Sequence, residues 1–308
     1  MNNTTWAIAT LVIVVICSGC NNSTPETQDQ SAISGNATVM CDVQVVEMIR
    51  TSAAGFSVDY PKATVSFSPM PGRDAIRELL AGRTDGIIVA RNYLADEDSV
   101  IKGSGLTYPR TLLAKDALVF YASKSFPYDT MSSVHIKSWF SGAIAEKEMK
   151  TLYPKLKGVP PVFVVPMPSS IYSNIVNILG APPLKGRLTA LPSRDSIQKR
   201  MLNGSNGLIG LGYLSQFAKD SSVKMLRLSY NDSTGTYQPP KVVHAANLIQ
   251  GMYPFPVPIY FVLKNTPSQH SLSSGMMQYL SRDAKAQAVF FNTGIEPGYA
   301  KIELILPE

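Results

Sequence analysis

The stretch that decides the fold is residues 75–98, AIRELLAGRTDGIIVARNYLADED. Ile76, Leu79 and Leu80 recur at three- and four-residue spacing, which predicts a helix from about Asp74 to Ala81 with one apolar face. Gly82 follows, and glycine ends helices readily because it enters the left-handed conformation without a Cβ clash. The run GIIVA (86–90) then reads as a short buried strand.

Working outward, the same alternation continues on both sides. Upstream, Ala37–Cys41 reads as a strand, Val43–Ala54 as a helix and Ala63–Phe67 as an alternating strand. Downstream come a strand ALVFYA (117–122), a helix over 134–140 stopped by Ser141-Gly142, and a strand over 161–165. Ile171, Ile175, Ile178 and Leu179 then keep helical spacing up to Gly180. A helix over 196–202, a strand over 207–211 and a strand over 258–263 follow, and the longest helix is predicted from Leu272 to Phe291, ending at Gly294. Residues 228–250, with Asn231, Asp232, Gly235, Pro239 and Pro240, read as an exposed excursion. No fixed-period repeat is present. Strands alternating with helices predict an α/β architecture with largely parallel sheets.

At 308 residues the chain is long enough for two lobes. Its 45% hydrophobic and 16% charged residues exclude wholesale disorder. Lys and Arg number 28 against 22 acidic residues, but the excess of +6 is spread out, without the clustered basic face of a nucleic-acid binder. Three cysteines exclude a disulfide-dense scaffold. His135, His244 and His270 are far apart and carry no metal-ligand spacing.

The run from Trp6 to Cys17 is apolar apart from Thr10, and at about a dozen residues it is short for a bilayer span and suited to a secretory signal. It leads into Cys17-Ser18-Gly19-Cys20, which resembles a bacterial lipobox, although Cys17 stands where Leu is usual and the leader has no Lys or Arg. The expectation is a lipoprotein signal peptide over 1–19, lipid on Cys20, and a polar tether over 20–33. An ordinary signal peptide or an anchor helix is the alternative. Cys41 would then be the single free thiol, read as a small buried hydrophobe.

The order of phrases resembles the phosphate-binding proteins of bacterial ABC importers, the PstS-like group of type II periplasmic binding proteins, in their Bacteroidetes-type lipoprotein branch. The residues that carry the resemblance are ISGNATV (33–39), the 75–98 stretch, LLAKDALVFYASKSFP (112–127), IKSWFSG (136–142), GLIGLGYLSQF (207–217), YPFPVPIYFVLK (253–264) and FFNTGIEP (290–297). It implies two α/β lobes joined by two crossover strands, with ligand in the cleft between them. Lobe one would hold residues 34–115 and receive the chain back over 250–308, and lobe two would hold 116–249. Such proteins close on a ligand by hinge motion.

Three places put small or polar residues just before a helix at the end of a strand: Asp42-Val43-Gln44, Pro71-Gly72-Arg73-Asp74 and Pro168-Ser169-Ser170. Helix starts hold unpaired N–H groups and a partial positive charge, so an oxyanion is stabilised there. Arg91 stands where the family commonly has Ser-Arg or Thr-Arg and is suited to bidentate bonding of phosphate. The expected ligand-binding set is therefore Asp42, Gln44, Gly72, Arg73, Arg91, Ser169, Ser170 and Tyr172. Ser169 and Ser170 serve equally as ordinary caps, Arg73 reads more as a surface ion-pairing residue, and Tyr172 as core or as a contact to a different ligand.

Two departures from the family pattern bear on the ligand. PMPSSIY (166–172) lacks the usual Gly-Thr and the preceding charged pair, and SGNATV (34–39) replaces an SGST-like phrase. The resemblance implies a monomeric extracytoplasmic binding protein for phosphate or a similar small oxyanion, serving an ABC permease and meeting the membrane only through its lipid. The alternative is a binding-protein scaffold reused as a cell-surface sensor or interaction module. No catalytic elbow, phosphate-cradling loop or zinc signature occurs, so neither an enzyme nor a cofactor is expected.

Overall fold

A computed structural model describes residues 31–203, 207–264 and 271–299. The predicted leader, Cys20, most of the tether and His270 lie outside the described residues. In chain order the first elements are β1 (Gly35–Asp42), α1 (Val46–Asp59), β2 (Ala63–Met70), α2 (Gly72–Leu80), β3 (Gly86–Val89), α3 (Ala95–Gly103) and β4 (Arg110–Ser123). Next come β5 (Thr130–Ser132), α4 (Ser133–Ser141), α5 (Glu146–Leu152), β6 (Val162–Pro166), α6 (Ser170–Leu179), β7 (Leu188–Leu191), α7 (Arg194–Leu202), β8 (Leu208–Tyr213) and α8 (Leu214–Phe217). The chain ends with β9 (Val223–Met225), β10 (Arg227–Asn231), β11 (Tyr237–Lys241), α9 (Ala245–Ile249), β12 (Pro256–Leu263), α10 (Leu272–Arg282), α11 (Ala284–Asn292) and β13 (Glu296–Pro297).

The strands run in the order β2-β1-β3-β12-β4-β8-β6-β7, with β13 and β9 also on β4. Each end of this series is a parallel group: β1 pairs in parallel with β2 and β3, and β6 with β7 and β8. Both groups are knit together by one long strand. The first half of β4 pairs antiparallel with β12, Pro256 opposite Ala117, and its second half pairs antiparallel with β8, Leu118 opposite Tyr213. The sheets are therefore mixed rather than largely parallel, because the return strand β12 comes back against β3 and β4. The result is a two-lobed α/β architecture, each lobe built on one parallel group and β4 passing through both.

Burial explains the continuous apolar strands. All four residues of β3 and all six of β8 are buried, as strands covered on both faces must be. On one face of the first sheet, Ile49 and Phe56 of α1 pack with Met276, Leu280 and Phe290 of α10 and α11 in the main core. On the other, Ile76 and Leu79 of α2 meet Ile87, Val89 and Val262 in a smaller cluster.

Three glycine terminators act as predicted: Gly82, Gly142 and Gly180 all have positive φ just beyond α2, α4 and α6. Two further expectations are corrected. The long C-terminal helix is two helices, because Asp283 adopts an extended conformation (φ −69°, ψ 133°) and its carboxylate caps α11 by accepting from Lys285 N and Ala286 N. The segment 228–250 is not an excursion. β10 pairs with β11 and, in parallel, with β5, and Leu228, Val243 and Leu248 are buried. Pro239 and Pro240 sit in an edge strand, where a missing N–H costs little.

Candidate functional site

Four chain segments that leave parallel strands at their carboxy ends meet at one point. Asp42 ends β1, Gly72 opens α2 after β2, Arg91 follows β3, and Ser170 opens α6 after β6. This is where open α/β sheets hold ligands, since successive helix starts fan out over that edge. A methyl group placed on Gly72 would run into Ser170 Oγ, lie 3.1 Å from Asp42 Oδ2 and lie 3.5 Å from Arg91 Nε. All four residues are buried: Asp42 is 0% exposed, Arg91 1% and Ser170 1%.

Arg91 is held from behind. Its Nη1 and Nη2 each donate to Glu97 at 2.7 Å, and Nη1 also donates to Asn92 O at 3.0 Å. Glu97 is fixed in turn by accepting from Leu94 N at the start of α3. That leaves Nε, the edge nearest Gly72, as a buried donor without a partner. Ser170 Oγ is also buried and makes no hydrogen bond of ordinary geometry. A buried unpaired donor costs roughly 1–3 kcal/mol, and both Arg91 Nε and Ser170 Oγ lie close to Gly72.

Asp42 accepts from Gln44 N at 3.1 Å and from Ala90 N at 3.3 Å. Burial raises its carboxyl above the usual range, and the neighbouring Ser170 hydroxyl, these two amides and the Arg91 charge pull it only partly back. The ionised Arg91–Glu97 pair is neutral overall, so fixed positive potential must come from the helix starts. None of α1, α2 and α6 has a side-chain cap, a feature they share with α3, α5 and α8, whereas α4, α7, α10 and α11 are capped by Ser132, Ser193, Ser271 and Asp283. At the starts of α1, α2 and α6 no side chain competes for the first-turn amides, although Asp74 N of α2 already donates to Pro71 O.

Hydrogen bonds between the two sheet systems surround this point. Asn174 Nδ2 on α6 donates to Ala90 O at 2.9 Å and to Tyr213 OH at 2.8 Å, and Tyr213 OH donates to Ala90 O. Asn177 Nδ2 donates to Asn92 O at 3.2 Å. On another side Gln216 Nε2 donates to Gln44 O and Gln44 Oε1, both at 3.1 Å.

The structure thus gathers Asp42, Gly72, Arg91 and Ser170 from the expected set. Gln44 stands beside them with its side chain turned to Gln216. The other three point elsewhere. Arg73 is a surface residue with a side chain 60% exposed, paired with Asp96. Ser169 bonds back to Pro166 O, and Tyr172 packs half-buried against the core. Glu97, Asn174, Tyr213 and Gln216 were not foreseen. For Glu97 a signal existed, an acidic residue at the third position of a helix start, but its pairing with Arg91 is set by tertiary packing. Among the described residues no cluster of metal-ligating side chains occurs, and no helix is long and apolar enough to cross a membrane.

The PBP superfamily domain matches residues 26–281, and the chain belongs to that superfamily. No curated protein sequence matches it. A Clostridium perfringens structure, assigned as a phosphate ABC transporter substrate-binding protein with bound phosphate, superposes at a TM-score of 0.66 and 15% identity, over 85% of this chain and 99% of that one. An ABC-type phosphate transport receptor from Vibrio cholerae gives 0.63 and 14%, over 85% and 100%. PstS from Borrelia burgdorferi gives 0.53 and 12%, over 86% and 99%. At these identities the likeness is one of fold. The family is one of binding domains rather than enzymes.

Proposed function

We propose that this protein captures phosphate, or a similar singly protonated oxyanion, outside the cytoplasm and hands it to an ABC permease, tethered through lipid on Cys20. The observation that carries the reading is the buried, unpartnered Arg91 Nε, which meets the buried Ser170 hydroxyl at Gly72, beside the starts of α1, α2 and α6. Lobe one (34–115 and 250–308) would supply Asp42, Gly72 and Arg91. Lobe two (116–249) would supply Ser170, and the single-chain monomer would close over the anion.

Asp42 narrows the ligand class. A buried carboxyl beside an anion is repulsive unless a proton lies between the two, so an oxyanion that still carries hydrogen at neutral pH is accepted and a fully deprotonated one is penalised. Phosphate is such an ion and sulfate is not. Isothermal titration with phosphate and with sulfate tests this. Heat of binding with phosphate and none with sulfate is the expected outcome, and no phosphate binding at millimolar concentration removes the assignment.

A second reading, a sensor or interaction module on the same scaffold, is favoured by PMPSSIY (166–172), which lacks the Gly-Thr of the phosphate-binding relatives. In that case oxyanion uptake by whole cells is unchanged when the gene is deleted, whereas the transport reading expects it to fall.

A further inference from the structure

Gln216 lies on α8, outside the cluster around Gly72, yet each polar atom of its side-chain amide is committed. Oε1 accepts from Tyr213 N at 3.1 Å, which fixes the amide to the end of β8. Nε2 then reaches the turn between β1 and α1, donating to Gln44 O and Gln44 Oε1. α8 is a single turn and has little stability of its own. What holds it is Asp116, fully buried in β4 at the point where that strand passes from pairing with β12 to pairing with β8. Asp116 Oδ2 accepts from Ser215 Oγ at 2.5 Å, while Oδ1 accepts from Ser215 N at 3.2 Å and from Ala117 N at 2.7 Å. One carboxylate at the crossover thus sets the residue next to Gln216.

We propose that Gln216 is a latch between the two lobes on one side of the binding site, opposite the Asn174, Asn177 and Tyr213 bonds to residues 90–92, and that Asp116 is its positioning residue, acting through Ser215. The proposal rests on the two-lobed binding-protein reading but not on the identity of the ligand. Buried carboxylates are costly and persist where they fix a geometry. Here the geometry fixed is a side chain that crosses the cleft.

Small-angle X-ray scattering of the purified protein without ligand reads the lobe separation directly. Gln216→Ala is expected to enlarge the radius of gyration, and in stopped-flow measurements to speed phosphate release about tenfold with an unchanged on-rate, as for loss of the two hydrogen bonds to Gln44. Asp116→Ala is expected to do the same, and Gln216→Ala added to it should change nothing further. Asp116→Asn keeps an oxygen for the two amides and should restore the compact form. If Asp116→Ala fails to fold, Ser215→Ala takes its place. A Gln216→Ala protein as compact as the parent, or effects of the two substitutions that simply add, would overturn the proposal. Should phosphate bind neither protein, the ligand assignment falls while the ligand-free scattering still decides the latch.

Discussion

Gly72→Ala separates stability from binding at the site. The new methyl would collide with Ser170 Oγ and lie 3.1 Å from Asp42 Oδ2 and 3.5 Å from Arg91 Nε, so it fills the point where donors converge. Gly72 has ordinary helical geometry at the first position of α2, and Ala there gains up to about 1 kcal/mol of helix propensity. Crowding costs about 1–3 kcal/mol, softened because a serine hydroxyl can rotate away. The net change in folding stability should stay within about 2 kcal/mol. Binding suffers far more. A ligand oxygen displaced from Arg91 Nε and Ser170 Oγ forfeits two charge-assisted bonds worth about 1.5–3 kcal/mol each. That amounts to at least a hundredfold in affinity at about 1.4 kcal/mol per tenfold. Thermal melting paired with phosphate titration checks both halves. A Gly72→Ala protein that binds phosphate like the parent would refute the placement of the ligand.

Ser170→Ala should change stability little, since its hydroxyl makes no hydrogen bond of ordinary geometry beyond its influence on Asp42, while weakening phosphate binding about tenfold by titration. Arg91→Met leaves Glu97 buried without its cation and should lower stability by about 3–5 kcal/mol in chemical denaturation, with phosphate binding abolished. A melt unchanged from the parent would count against the buried pair. Asp116 gives a pH signature: burial raises its carboxyl to about 6 against an ordinary 3.8. The folded chain keeps this proton to higher pH than the unfolded chain, so the group withdraws stability as pH rises from about 4 to 6 and no further above that. The gap of about two corresponds to about 3 kcal/mol. Relative to the parent, Asp116→Asn should therefore gain stability across that window and hold the gain at pH 8. A constant difference from pH 4 to 8 would contradict it.

What local pattern can encode was legible. Gly82, Gly142 and Gly180 mark helix ends because only glycine enters that conformation without strain. GIIVA declares a doubly covered strand. Asp283, set within the apolar rhythm of residues 272–291, is an equally local signal that hydrophobic periodicity overrides, since a cap acts through its side chain rather than its polarity. α3 escaped notice because ADEDSVIKG buries little besides Glu97. Of the site, the strand ends bearing Asp42, Gly72, Arg91 and Ser170 follow from strand–helix order. The partners that close around them do not. Gln44 meets Gln216, and Ala90 meets Asn174 and Tyr213, across 172, 84 and 123 residues of chain, which no window of sequence spans.

β4 belongs to both halves of the molecule: Arg110–Ala117 completes one sheet and Leu118–Ser123 the other. Neither half can therefore lose its order while the other keeps a full complement of strands. Heating should melt the protein in one calorimetric step, and a chain severed at this strand should yield two fragments that regain shape only when mixed.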